Sequence, residues 1–223
     1  LNLTLFDLDG TLLPDDSDHA FGEFLVAQGW ADRDAWRQRN DGFYAQYQRG
    51  DLDITAYVEF ATSAWRHRPA ADAEALRARF MAEVIEPALR PAALALVAHH
   101  QQPGEVTAIV TATNEFVTRP IAAAFGIDHL LALELQRDAQ GRVTGAIHGV
   151  PTFRDGKVTR VQQWLAQRGW QRHDFDRITF YSDSMNDLPL LEWVSDPVAT
   201  NPTPALLTIA TQRGWRVLNL FEP

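Results

Sequence analysis

From residue 90 onward, short apolar runs alternate with helical stretches, and no other feature of the chain restricts its fold as strongly. Residues 106–110 (VTAIV), 130–135, 178–181, 194–199 and 217–220 read as buried strands. Residues 91–100, 116–125, 157–167, the stretch ending at Leu191, and 203–213 read as helices. An earlier run, LTLFDL at residues 3–8, reads as one more strand, stopped by carboxylates and Gly10. Strands that alternate with helices pair in parallel and are covered on both faces. The fold class expected is therefore α/β: a doubly wound parallel sheet with a Rossmann-like core. Residues 138–149, with Gly141 and Gly145, read as a β-hairpin outside that alternation.

Residues 15–87 break the pattern. They hold few β-branched residues and much Ala, Trp, Arg and Asp at helical spacing. Asp32, and Asp53 or Thr55, stand where helices would be capped. Four helices are expected, forming an inserted bundle. The organisation expected is a core of residues 1–14 and 88–223 with a helical cap of residues 15–87.

Composition removes several function classes. The 223 residues carry a net charge of −9, which argues against nucleic acid or an anionic membrane as partner. No apolar run approaches the ~20 residues of a membrane span. The chain has no cysteine, so thiol nucleophiles, disulfides and Cys-ligated metals are excluded. A cysteine-free chain whose first residues lack a basic, cleavable leader is expected in the cytoplasm. Of its 20 basic residues only Lys157 is lysine. A compact ammonium used once marks a place where the planar arginine fork does not serve.

Four short segments carry the candidate chemistry. In Phe6-Asp7-Leu8-Asp9-Gly10-Thr11-Leu12-Leu13, two carboxylates follow a strand, where open α/β sheets bind ligands. Paired carboxylates repel unless a cation separates them or one is protonated, so the pair suits a Mg²⁺ site and a weak acid alike. Tyr181-Ser182-Asp183-Ser184-Met185-Asn186-Asp187 places a second acidic cluster at another strand end, although either Asp there would also serve as a plain helix cap. Oxygen ligands from two strand ends favour Mg²⁺. Thr111, at the end of Val110-Thr111-Ala112-Thr113-Asn114, offers a hydroxyl before a helix, which suits a phosphate. Lys157 follows Asp155-Gly156 at a helix start, where a cation is unfavourable for the helix itself and a ligand is the better reason for it.

These four segments, in this order and spacing, resemble the haloacid dehalogenase superfamily of phosphatases over essentially the whole chain. The helical insertion is similar to the family's small cap, and the hairpin containing DAQGRVTG resembles the phosphoserine-phosphatase-like branch. Within that branch, DSDHAFGEFL and FYSDSMNDLPLLE resemble members assigned to histidinol phosphate hydrolysis. The resemblance implies that Asp7 is the nucleophile, forming an aspartyl phosphate, and that Asp9 is the general acid and base. It implies that Thr111 and Lys157 hold the phosphoryl group. Mg²⁺ would be held by Asp7, by Asp9 through its backbone carbonyl, and by Asp183, with Asn186 and Asp187 in support. Asp16 falls where phosphoserine phosphatases carry a Glu that touches the substrate amine, with a shorter side chain here.

The function expected is thus a Mg²⁺-dependent hydrolase of a small phosphorylated metabolite, with histidinol phosphate as the leading substrate. Phosphoserine and other small phosphomonoesters stay open, and so does the oligomeric state. A phosphotransferase or mutase using the same aspartyl phosphate is the alternative of another class. The cap, from Asp15 to Glu86, has 14 acids and 8 arginines, an excess that suits a cationic leaving group. Asp16 and Asp18, nearest the first motif, are the candidate specificity residues, and His19 is a candidate for the substrate entrance. The seven tryptophans are expected mostly in the core or on amphipathic surface, with Trp30, Trp36 and Trp65, in the cap, as candidates to line the pocket.

Overall fold

The computed structural model describes residues 1–221. Six parallel strands run β1 (Asn2–Phe6), β2 (Glu105–Asn114), β3 (His129–Leu133), β6 (Arg177–Ser182), β7 (Asp196–Thr200) and β8 (Arg216–Leu218), in spatial order β3-β2-β1-β6-β7-β8. β4 (Leu135–Arg137) and β5 (Val143–Ile147) form a separate antiparallel hairpin. The expected strand through Leu135 is cut short, because the chain leaves the sheet at Glu134 and Leu135 pairs instead with Ile147.

Helices α1 (Ser17–Ala27), α2 (Arg33–Arg49), α3 (Ile54–Ser63) and α4 (Ala70–Phe80) fill the stretch after β1. Asp16, Asp32 and Asp53 cap the first three with their side chains. α4 continues through a π-helical turn, Met81–Ile85, into the short α5 (Glu86–Ala88). Pro87 has no N–H to give and its ring excludes the carbonyl four residues back, so the ladder widens there. The remaining helices are α6 (Pro91–His100), α7 (Glu115–Ala124), α8 (Asp155–Gln167), α9 (Leu188–Trp193) and α10 (Pro204–Arg213).

Strand alternation builds two cores from the same strands. Leu3 and Leu5 of β1 face α8, α9 and α10 through Val161, Leu165, Leu190 and Leu206. Phe6 faces the other way, into a core shared with α6, α7 and the inserted helices. Phe21 of α1 meets Phe80 edge-on, with ring centroids 5.0 Å apart, and Trp65 stacks on Phe116 of α7 at 4.1 Å. The inserted helices and the sheet therefore share one apolar core.

One contact explains how α4 is held. Pro120 lies inside α7 and leaves the Phe116 carbonyl without its helical N–H. Arg77 of α4 fills the gap, donating to that carbonyl at 3.0 Å, with its guanidinium 4.5 Å from the Phe116 ring centroid.

The strand order places the site. The chain runs outward from β1 to β3 and then returns to β6 on the other side of β1. β1 and β6 therefore flank the switch point, where ligands bind at the carboxyl ends of such sheets. Asp7 follows β1 and Asp183 follows β6.

Candidate active site

The loop after β1 is shaped by its apolar residues. Leu8, Leu12 and Leu13 are buried, and the Leu8 carbonyl accepts from the N–H groups of Thr11, Leu12 and Leu13. Gly10 has φ 75°, and a Cβ there would lie 2.4 Å from Asp183 Oδ2, so both backbone and space demand glycine. Thr11 ties the two acidic segments together. Its hydroxyl donates to Asp183 Oδ1 at 3.2 Å, and Asp183 N–H donates to Thr11 Oγ1 at 3.1 Å. Asn201, at the end of β7, donates to the Gly10 carbonyl at 2.9 Å and braces the loop from outside.

Lys157 reaches in from the first turn of α8. Its Nζ lies 2.9 Å from Asp7 Oδ1 and 2.7 Å from Asp187 Oδ2, and all three side chains are buried. Ser182 donates to the same Asp187 oxygen at 2.8 Å. Burial pulls the Lys157 ammonium down, but the charges of Asp187 and Asp7 outweigh it and hold the amine above its ordinary pKa. Burial, and secondarily Asp187, lift Asp7 to about 6 against the pull of Lys157.

Asp9 occupies a different environment although it is two residues away. Its Oδ1 accepts from Ser17 N–H at 2.7 Å and its Oδ2 from the Thr113 hydroxyl at 2.8 Å. Lys157 pairs with Asp7 and Asp187 instead. Burial, followed by the charge of Asp16, raises Asp9 to about 8. Burial raises both carboxyls, and only Asp7 has a cation beside it that favours its ionised form. Thr111 accepts from Thr113 N–H at 3.1 Å, which leaves its hydroxyl hydrogen free to donate into the cavity.

Asp7, Asp9, Thr111, Lys157, Asn186 and Asp187 line one cavity of about 70 Å³ under the inserted helices. Asp16, Asp18, His19 and Asn40 also line it, with Phe43, Tyr44, Tyr47, Tyr57 and Phe153 as aromatic walls. Asp16 Oδ1 is spent on the N–H groups of Asp18 and His19 at the start of α1. Asp18 accepts from Tyr57 OH at 2.8 Å and is raised to about 7 by burial and then by Asp16. Trp30, Trp36 and Trp65 do not line the cavity. Trp36 and Trp65 are buried in the core and Trp30 packs against it, because their large apolar area is satisfied there.

A divalent cation fits this donor set. Asp7, Asp183 and Asp187 set three carboxylates against the single ammonium of Lys157. Burial, then the charges of Asp7 and Asp187, push Asp183 well above the usual carboxylate range, so the cluster lacks positive charge. All donors are oxygen, as Mg²⁺ prefers. Among the described residues no three acidic or histidine side chains gather into a metal cluster. The Asp9 side chain is committed to Ser17 and Thr113. Mg²⁺ accepts a small set of protein oxygens and completes it with water or substrate.

A model of the haloacid dehalogenase-like hydrolases matches residues 4–192. The chain belongs to this family. A histidinol-phosphatase of Neisseria meningitidis serogroup C is 41% identical over 218 residues, covering 98% of both chains. A phosphoserine phosphatase of Mycobacterium tuberculosis is 28% identical, over 95% of this chain and 68% of that one. The crystal structure of a protein of unknown function from Bordetella pertussis Tohama I is 47% identical, with a TM-score of 0.93 and 99% of both chains covered. A substrate-bound phosphoserine phosphatase shares the fold, with a TM-score of 0.67 over 97% of this chain and 91% of that one at 16% identity. This haloacid dehalogenase-like hydrolase is a phosphoric monoester hydrolase. None of its described helices is long and apolar enough to cross a membrane.

Sequence reasoning passed over Thr113, Ser182, Tyr47, Tyr57 and Asn201. Only Thr113 left a signal: it stands two residues after Thr111 on one strand, so the two share a face.

Proposed function

We propose that the chain is a Mg²⁺-dependent phosphatase working through an aspartyl phosphate on Asp7, with histidinol phosphate as its substrate. The observation that carries the mechanism is the split between the two carboxyls: Asp7 held by Lys157, Asp9 held by Thr113 and Ser17, both in one cavity.

Ionised Asp7 attacks phosphorus, and the bond from phosphorus to the ester oxygen breaks. Asp9 gives its proton to the departing alkoxide. In the second half, Asp9 as base takes a proton from water, the water oxygen joins phosphorus, and the bond to Asp7 breaks. Lys157 and the Thr111 hydroxyl hold the phosphoryl oxygens throughout, and Asp187 and Ser182 hold Lys157. Asp7, Asp183 and the Asp9 carbonyl would hold Mg²⁺, which would supply the positive charge that lets an anionic nucleophile meet an anionic ester. Asn186 orients groups at the rim of the cavity.

The substrate assignment rests on the carboxylates and aromatic rings that line the cavity and on the histidinol-phosphatase relative. Histidinol phosphate carries a cationic amine and a flat imidazole. Asp18, with Asp16 beside it, offers carboxylate, and Tyr47, Tyr57 and Phe153 offer flat apolar surface. The test is phosphate release from histidinol phosphate, phosphoserine and several sugar phosphates, each with and without Mg²⁺. The proposal expects Mg²⁺-dependent turnover with the highest kcat/KM on histidinol phosphate. Equal or better turnover of phosphoserine would contradict the substrate, and turnover in a chelator would contradict the metal.

A further inference from the structure

The backbone at Arg154 has a conformation that suits glycine. Its φ is 52° and its ψ −126°, the values of the second residue of a type II′ turn. The Gly156 N–H donates to the Phe153 carbonyl at 2.9 Å and closes that turn. A side chain is strained in this position, and strain of this kind persists where surrounding contacts enforce it. The turn opens α8, the helix that carries Lys157.

The arginine side chain spans two parts of the molecule. Its guanidinium lies 5.4 Å from the Phe153 ring centroid, and its Nε donates to Asn186 Oδ1 at 3.3 Å. Its Nη2 rests against Gly50 at the C-terminus of α2, 2.5 Å from where a Cβ would stand. A cation is favoured at a helix C-terminus. Asn186 in turn donates through Nδ2 to the Tyr47 carbonyl at 3.3 Å, and Tyr47 OH donates to Ser184 Oγ at 3.2 Å. Tyr47, Phe153 and Asn186 all line the catalytic cavity, whereas Arg154 lies outside it.

We propose that Arg154 is a positioning residue, which clamps the C-terminus of α2 onto Asn186 and so holds Tyr47, Phe153 and Asn186 as a closed wall of the cavity. The strained turn is retained because glycine, which would relieve it, has no side chain to make the clamp. The proposal rests on the reading of this cavity as the phosphatase site, and it is independent of which phosphomonoester is the natural substrate.

The experiment compares wild type with Arg154→Gly, Arg154→Ala and Arg154→Lys. Para-nitrophenyl phosphate with Mg²⁺ serves as the activity probe, and thermal unfolding and amide hydrogen exchange are measured alongside. Glycine relieves the turn, so Arg154→Gly should unfold at or above the wild-type temperature. Both Arg154→Gly and Arg154→Ala should lose about tenfold in kcat, the scale of a wall that positions the reacting groups imperfectly. The Gly50 and Asp51 amides, which bond the last carbonyls of α2, should exchange faster. Arg154→Lys should recover only part of the loss, since it keeps the charge without the fork. Wild-type kcat in Arg154→Gly would overturn the proposal. So would a lower unfolding temperature with unchanged kcat per folded molecule, the signature of a purely structural role. If the wild type hydrolyses no phosphomonoester, the site reading itself fails. The exchange data then judge the clamp alone: unchanged protection at Gly50 and Asp51 overturns it, and faster exchange upholds it.

Discussion

The Thr113 hydroxyl donates to Asp9 Oδ2 at 2.8 Å, across 104 residues of sequence, and that bond fixes where the acid points. Ser17 N–H takes the other oxygen, so Asp9 is held away from Lys157 while Asp7 is held against it. Two carboxyls of identical chemistry are separated in role by their neighbours.

Thr113→Val keeps the shape of the side chain and removes only the donor. We expect kcat for an alkyl phosphate to fall by about 10–100-fold, less than the ~10²–10⁴-fold that a positioned general acid contributes, because Asp9 itself stays in place on Ser17 N–H. An aryl ester with an activated leaving group should lose much less in single-turnover phosphoryl transfer, because it needs no proton. Equal losses on both esters would place the effect of Thr113 elsewhere.

Lys157→Arg conserves charge and should still cost about 100-fold or more in kcat. The ammonium fits between Asp7 and Asp187 at 2.9 and 2.7 Å, in a space fully enclosed by protein. The longer planar fork does not fit between two oxygens so placed. Steady-state kinetics and thermal unfolding together check this, and near wild-type turnover would contradict it.

Asp18 makes stability depend on pH. It titrates near 7 in the folded chain and near ~4 unfolded, so between those values the folded state binds the extra proton. Stability therefore falls as pH rises from about 4 through about 7. Asp18→Asn removes the buried charge, and its unfolding temperature relative to wild type should climb between about pH 5 and pH 8. A difference that stays constant across that range would show that Asp18 does not titrate in this way.

Arg77→Ala strands the Phe116 carbonyl that Pro120 leaves without a helical partner. The expected loss in stability is about 1–3 kcal/mol, the cost of an unsatisfied buried acceptor, read from urea unfolding. A change within about 0.5 kcal/mol, typical of an ordinary surface site, would mean that water replaces the guanidinium.

What the sequence made legible was local. Asp7, Asp9, Asp183 and Lys157 stand at strand and helix ends whose periodicity is written in their own neighbours, and the sheet class follows from the same alternation. The strand through Leu135 was misread because it depends on the whole fold: Leu135 is claimed by a hairpin partner twelve residues on. The tryptophans of the inserted helices take the core places that their apolar area favours. Tyr47, Tyr57 and Asn201 reach the site only through tertiary packing, and nothing in their local pattern sets them apart.

The most direct test of the account is the fate of the phosphoryl group. Enzyme mixed with a phosphomonoester and Mg²⁺, quenched in acid within a turnover and digested, should carry an acid-stable, base-labile phosphoryl mass on the peptide containing Asp7. Asp7→Asn should show neither that adduct nor phosphate release, at an unchanged unfolding temperature. A phosphoryl group found on any other residue, or steady turnover by Asp7→Asn, would contradict Asp7 as the nucleophile.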